Sequence, residues 1–301
     1  MKNPLLLLVG CAGPAFGAAT GTVPGAFATN GELMLTQMVS APFPHPLRAG
    51  GHQYHDRFFP AKEHYSDSTV AVFIPRGFRE TGRIDFVVHF HGWQNNVTNV
   101  LRRYQLIEQL VASGRNAVLV VPQGPRDASD SFGGKLEDPD GFKRFMEEVA
   151  QTLRARSALE QKDFTLGNIV LSGHSGGYHV MAAILDHGGL TEHVKEVWLF
   201  DALYGETDKF MAWLDRQHGR LLDIYTARGG TREETERLLA TLKQRGAAFY
   251  AGNEADVQPA DLRKHQPVFL FTDLAHDDVV ERHGTFRTFL ETSGFEQVRS
   301  Q

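Results

Sequence analysis

The stretch from Asn168 to Tyr178, Asn-Ile-Val-Leu-Ser-Gly-His-Ser-Gly-Gly-Tyr, limits what this chain can fold into more than any other. Ile169 to Leu171 has the length and β-branched content of a buried strand, and it runs directly into Gly173-His174-Ser175-Gly176-Gly177. A serine on a sharp turn between strand and helix is held in strained backbone. Glycines on either side let the two elements approach each other. Such a turn lifts the Ser175 hydroxyl above a sheet. A bare G-x-S-x-G also recurs by chance in glycine-rich loops, so the rest of the chain decides what it means.

Strand and helix patterns alternate around this turn. Thr69 to Pro75, Ile84 to Phe90, Ala117 to Val121, Val197 to Phe200, Leu221 to Tyr225 and Val268 to Thr272 are short apolar runs closed by turn residues. Between them, Val100, Leu101, Tyr104, Ile107, Leu110 and Val111 fall at helical spacing, as do Phe142, Phe145, Met146, Val149 and Leu153. Asp138-Pro139 offers a cap and first turn for the second of these helices. Thr231 with Glu234 reads as a capping box for a helix running to about Arg245. Strands apolar along their whole length imply a mainly parallel sheet covered by helices on both faces. His91, Gln123, Ser175, Asp201 and His276 all fall at or just past strand ends, so the topology gathers them along one edge.

A chain of 301 residues, 42% hydrophobic and 22% charged, suits one large α/β domain. Its net charge of −5 supplies no basic stripe, which argues against a nucleic-acid partner. Neither a dinucleotide glycine fingerprint nor a phosphate-binding loop is present, so no cofactor is expected. Cys11 is the only cysteine, which rules out an internal disulfide or a cysteine-based zinc site. His45, His52, His55 and His64 lack a carboxylate at a recognisable spacing and read as structural or exposed, so no metal site is expected.

Residues 1–19 read as an export signal: Lys2 gives a positive start, Leu5 to Val9 an apolar stretch, and small residues follow. Leu8-Val9-Gly10-Cys11 resembles a bacterial lipobox, which would make Cys11 a lipidated tether to the membrane. Ala15-Phe16-Gly17 is a competing site for ordinary secretion. The expected destination is the periplasm, the outer membrane as a lipoprotein, or the exterior. Residues 20–48 read as a tether and irregular lead-in, and residues 49–301 as the folded domain.

With the serine turn, a His-Gly dipeptide ending an earlier strand, and a histidine after the last strand, the chain from about Thr69 onward resembles the α/β-hydrolases. The resemblance implies an α/β-hydrolase fold and a nucleophile, acid and base in the order Ser175, Asp201, His276. A serine hydroxyl needs an imidazole to take its proton, and the imidazole needs a carboxylate to fix its tautomer. Asp201 ends the strand directly after the nucleophile strand, one strand earlier than most of the family carries its acid. After the later strand, residues 225–230 offer no carboxylate, and Asp223 lies inside that strand. Glu254 and Asp256 remain as alternatives. His174 is expected to point away from the nucleophile. The oxyanion hole implied by the family is the N–H of Gly176 with that of Trp93, Gln94 being the neighbour that would replace Trp93.

Between Gly205 and Arg220 there is room for one short helix, hence no lid domain at the usual place. An open cleft flanked by Trp93, Phe132 and Tyr204, with His91 and Gln94 as further substrate contacts, suits a polar or polymer-attached ester better than a long buried acyl chain. The segment from Ala247 to His265 is long enough to fold over it. The implied activity is that of an exported serine esterase working through an acyl-serine. Amidase, peptidase and acyltransferase chemistry use the same triad, and a catalytically inactive cell-envelope binding protein on this scaffold is the reading from another class.

Overall fold

The computed structural model describes residues 21–22, 29–155, 163–264 and 266–298. The expected signal segment, Cys11 included, lies outside them. Ten strands form one sheet: β1 (Gly21–Thr22), β2 (Gly31–Gln37), β3 (Thr69–Pro75), β4 (Arg83–Phe90), β5 (Val118–Pro122), β6 (Thr165–His174), β7 (Val194–Phe200), β8 (Arg220–Thr226), β9 (Tyr250–Asn253) and β10 (Val268–Thr272). Their spatial order is β1-β2-β3-β5-β4-β6-β7-β8-β10-β9. The first three pairings are antiparallel and the rest parallel.

Each central strand is buried on both sides, and its alternate residues feed two separate cores. Val118 and Val120 of β5 join Phe86, Val88, Ile169 and Leu171 on one face; Leu119 and Val121 join Val87 and Val170 on the other. Helices α3 (Gly141–Arg154), α4 (Tyr178–His187), α5 (Thr207–Gln217) and α6 (Arg232–Gln244) cover the first face through Phe145, Met181, Trp213 and Leu238. Helices α1 (Val97–Arg103), α2 (Leu106–Ser113), α7 (Pro259–Lys264) and α8 (Thr285–Thr292) cover the second through Val100, Ile107, Leu262 and Phe286.

Three expectations need correction. Residues 31–37 are not irregular lead-in: β2 pairs with β3 over its full length, from Gly31 opposite Pro75 to Gln37 opposite Thr69, and buries Leu33 and Met34. Residues 247–264 do not close over the site. They make the edge strand β9, parallel to β10, and α7, whose Leu262 is buried in the second core. Helix α3 opens at Gly141 after Asp140 in the left-handed region, later than the Asp138-Pro139 signal, and lacks a side-chain cap. The expected single helix between β7 and β8 is α5. Among the described residues no helix is long and apolar enough to cross a membrane.

Candidate active site

Strand β6 ends at His174, and Ser175 then takes a φ of 53°, in the left-handed region where a residue with a Cβ is strained. A strand that must become a helix within two residues has no relaxed route, so the bend falls on this residue. The neighbouring glycines are required by contact. A Cβ on Gly173 would lie 2.4 Å from Met181 Sδ, and one on Gly177 would lie 2.6 Å from Phe90 O. Gly92, after β4, is pressed against the serine: a Cβ there would lie 2.5 Å from Ser175 Cβ and 3.1 Å from its Oγ. Gln94 and Asp201, with φ of 53° and 46°, place further left-handed strain around the same point.

His276, in the loop after β10, bonds through Nδ1 to Asp201 Oδ2 at 2.6 Å. Asp201 is fully buried at the end of β7. Its Oδ1 accepts the Thr226 N–H at 3.1 Å and the Thr231 hydroxyl, and its Oδ2 accepts the Thr226 hydroxyl at 2.8 Å. Burial alone would raise this carboxyl, but the bonds from His276, Thr231 and Thr226 outweigh it and hold the group below its ordinary value. A carboxylate with this many donors stays charged and cannot turn. Gly229 closes the cage: a Cβ there would lie 1.7 Å from Asp201 Oδ2.

Thr231 stands at the N-cap position of α6, as expected, but its side chain does not cap the helix. Its hydroxyl reaches back to Asp201, α6 starts without a side-chain cap, and Glu234 instead accepts from Thr207 and pairs with Arg237. Glu254, an alternative acid, pairs with His283 and accepts from Thr272; Asp256 is bonded to Asn253. Asp223, inside β8, is wholly buried with Oδ2 on Thr235, and burial pushes its carboxyl up to about 8.

His174 points into the protein, as expected. Its Nε2 bonds to the His276 carbonyl at 2.9 Å, so Nδ1 accepts the Tyr104 hydroxyl at 3.0 Å. Burial, reinforced by the charge of His276 nearby, lowers it to about 4, and its ring lies 4.6 Å from that of His276. The chain neighbour of Ser175 thus grips the backbone of His276. The His174, His276 and Asp277 side chains lie close enough to hold a metal ion, but the ring nitrogens of His174 and Nδ1 of His276 are already taken by protein partners.

His91 is buried and lines, with Phe132, a small cavity of ≈ 20 Å³ that shares Ser131 and Gly176 with the cleft on Ser175, without lining that cleft itself. Its Nε2 accepts the Gly124 N–H and meets the Gln123 amide, each at 3.0 Å, which leaves Nδ1–H to donate to Gly92 O at 2.8 Å. A trans peptide carries its C=O and N–H on opposite sides. Anchoring Gly92 O on His91 therefore turns the Trp93 N–H the other way. The backbone N–H groups of Trp93 and Gly176 have no acceptor among the described residues. Gln94 cannot replace Trp93, because its N–H is bonded to Ala128 O at 2.9 Å and its side chain to Ser129.

Beside Ser175 opens a cavity of ≈ 210 Å³ lined by Trp93, Ser131, Ser175, Gly176, Tyr178 and Tyr204. Tyr204 donates to Gly229 O, and burial together with Asp201 raises its phenol to about 12, partly offset by the facing Ser175 hydroxyl. Phe132 does not line this cavity but the small one beside it, which it shares with His91. It packs with Phe43, His45 and Arg48 under the loops, in a satellite core that no periodicity signals. Ser131 and Tyr178 line the cleft instead. Nothing in the sequence marks Ser131, whereas Tyr178 sits one residue past the glycine turn.

No family model matches this sequence, and no curated protein matches it either. Among solved structures, a ferulic acid esterase superposes with a TM-score of 0.50 at 13% identity, over 74% of this chain and 92% of that one. The feruloyl esterase module of Clostridium thermocellum complexed with sinapinate superposes with a TM-score of 0.51 at 10% identity, over 92% and 97%. The chain has the α/β-hydrolase fold. In this α/β-hydrolase fold, Ser175, Asp201 and His276 stand at the ends of β6 and β7 and past the end of β10, all on one edge of the sheet.

Proposed function

We propose that this protein is an exported serine hydrolase that cleaves carboxylic esters through an acyl-serine. The observation that carries the reading is the His276–Asp201 bond of 2.6 Å, made to a carboxylate caged by three further donors, beside a serine on a left-handed turn. Asp201 holds the proton of His276 on Nδ1, so Nε2 is free to accept the Ser175 proton as Oγ attacks the ester carbonyl. The Trp93 and Gly176 N–H groups receive the oxygen that becomes negative, each donor being worth about 3 kcal/mol. His276 returns the proton to the departing alcohol. Water, deprotonated by the same imidazole, then attacks the acyl-serine, and the acid leaves as Ser175 regains its hydrogen.

The cleft volume lies below the ~300 Å³ at which drug-sized ligand pockets begin, which favours a short or compact acyl group. Among the described residues, 247–264 pack as β9 and α7 instead of closing over the site, and this suits an alcohol that is part of a polymer. Export is proposed on the sequence of residues 1–19, with Cys11 as the tether if the lipobox is used. The test is a panel of acetyl, propanoyl, butanoyl and octanoyl esters beside the matching amides. The reading predicts turnover of the short esters that is abolished in Ser175→Ala. Turnover of amides but not esters, or of octanoyl esters in preference to short ones, would overturn it.

A further inference from the structure

The cleft beside Ser175 contains a serine hydroxyl, that of Ser131, with no use in the proposed reaction. Ser131 lies on the loop after β5, and its Oγ accepts the indole Nε1–H of Trp93 at 2.7 Å. Its own proton has no acceptor among the described residues, so the O–H can turn to donate to a group in the cavity that it lines. The residue is held rigidly. Asp130, its neighbour, takes a bidentate pair of bonds from Arg48, at 2.7 and 3.1 Å, and accepts the Phe132 N–H at 3.0 Å. On the other side, a Cβ on Gly176 would lie only 2.6 Å from Ser131 Oγ. Ser131 therefore stands directly against the residue whose N–H faces the scissile carbonyl.

Which half of the substrate it meets follows from the lining. The departing alcohol must lie within reach of His276, which protonates it, and His276 does not line this cavity. The acyl group occupies it. Its walls are the rings of Trp93, Tyr178 and Tyr204, and the Tyr204 hydroxyl is already donating to Gly229 O. The Tyr178 hydroxyl lies toward Gly205, whereas Ser131 is the donor that stands against Gly176, where the acyl group meets the scissile carbonyl, and a hydrocarbon acyl chain there would leave the Ser131 donor without a partner in the substrate.

We propose that Ser131 is a specificity-determining residue. It donates a hydrogen bond to an oxygen on the acyl group close to the scissile carbonyl, so that the enzyme acts on short acyl groups bearing a hydroxyl, ether or keto oxygen in preference to plain alkyl groups. This rests on the ester-hydrolase reading above. A site that binds through a hydrogen bond rejects the analogue lacking the acceptor, because its own group is then buried unpaired.

The experiment compares methoxyacetyl and butanoyl esters of one alcohol, which differ by an ether oxygen in place of a methylene. The methoxyacetyl ester is intrinsically the more reactive, so the quantity read is the ratio of kcat/KM for the two, in wild type and in Ser131→Ala. Intrinsic reactivity cancels between the two proteins. The ratio is expected to fall about five- to tenfold in Ser131→Ala, the size of one hydrogen bond to a neutral acceptor, and to be retained in Ser131→Thr, which keeps the hydroxyl. Fluorophosphonate labelling, which depends on Ser175 and His276 and not on the acyl oxygen, is measured on both variants to establish that the nucleophile is still present and reactive, and the ratio of the two esters is the quantity that decides. An unchanged ratio in Ser131→Ala, with the wild type turning over both esters, would overturn the role of Ser131 alone. A wild type that hydrolyses neither ester and resists the probe would overturn the hydrolase reading with it.

Discussion

Replacing Asp201 by asparagine changes one atom of the site and tests how the carboxylate works. Oδ1 accepts the Thr226 backbone N–H and the Thr231 hydroxyl, whereas Oδ2 accepts His276 Nδ1–H and the Thr226 hydroxyl. Hydroxyls can rotate to accept a bond, but a backbone N–H cannot. The substituted side chain would therefore keep its carbonyl at the Oδ1 position and present its NH2 to His276. Nδ1 must then accept, the imidazole proton moves to Nε2, and that nitrogen can no longer take the proton of Ser175. The expected loss in kcat is about 10⁴-fold, as for the wrong tautomer in other serine triads, equivalent to about 5 kcal/mol of barrier. The assay is steady-state hydrolysis of an activated short-chain ester, with thermal unfolding to establish that the variant is folded. Glu254→Gln, whose carboxylate serves His283 and Thr272, is the control and should stay within about twofold, like other changes outside the site. A folded Asp201→Asn variant keeping more than a tenth of wild-type kcat, or an equal loss in Glu254→Gln, would refute the reasoning.

Gly92→Ala places a methyl 2.5 Å from Ser175 Cβ, so either the serine or the Trp93 N–H must move; a loss of about 10²-fold in kcat is expected, the cost of one oxyanion donor, with a stable fold by circular dichroism. A near wild-type rate would show that the approach of Gly92 to Ser175 is not needed. His91→Phe removes the anchor of Gly92 O without emptying the space, and should lower kcat more than it changes KM, since the Trp93 N–H acts on the transition state. Asp223 gives a pH prediction. Its folded carboxyl keeps its proton to about 8 while the unfolded one loses it near 3.8, so its contribution falls as pH rises between those values, by up to ~1.4 kcal/mol per unit. Asp223→Asn removes that slope and should gain stability relative to wild type between pH 5 and pH 7.5 in urea titrations; parallel profiles would contradict it.

The positions of Ser175, Asp201 and His276 were legible because each follows an apolar run whose end is marked in the sequence, and a parallel sheet brings strand ends together without further information. The cage around Asp201 was not. Thr231 matches a helix cap over four residues of local sequence, yet its hydroxyl is used by a carboxylate thirty residues away, and nothing local distinguishes the two uses. Strand β2 was hidden by the glycine- and alanine-rich composition around it, although Leu33, Met34 and Leu35 lie together in its middle. Least legible in the sequence is the loop after β5. Arg48, eighty-two positions from Asp130, fixes its path, and that path sends Phe132 into a satellite core and Ser131 into the cleft. Side chains on loops are aimed by distant contacts, which periodicity does not record.

The central claim is that Ser175 is a nucleophile activated by His276. Intact-mass analysis of the purified domain after exposure to a fluorophosphonate probe tests it directly, with Ser175→Ala and His276→Ala treated alongside. The account predicts a single adduct on the wild type, mapped to Ser175 by peptide analysis, none on Ser175→Ala, and labelling slowed by about 10³-fold or more on His276→Ala. A folded wild type that remains unlabelled, or an adduct on Ser175 that forms as fast without His276, would contradict it.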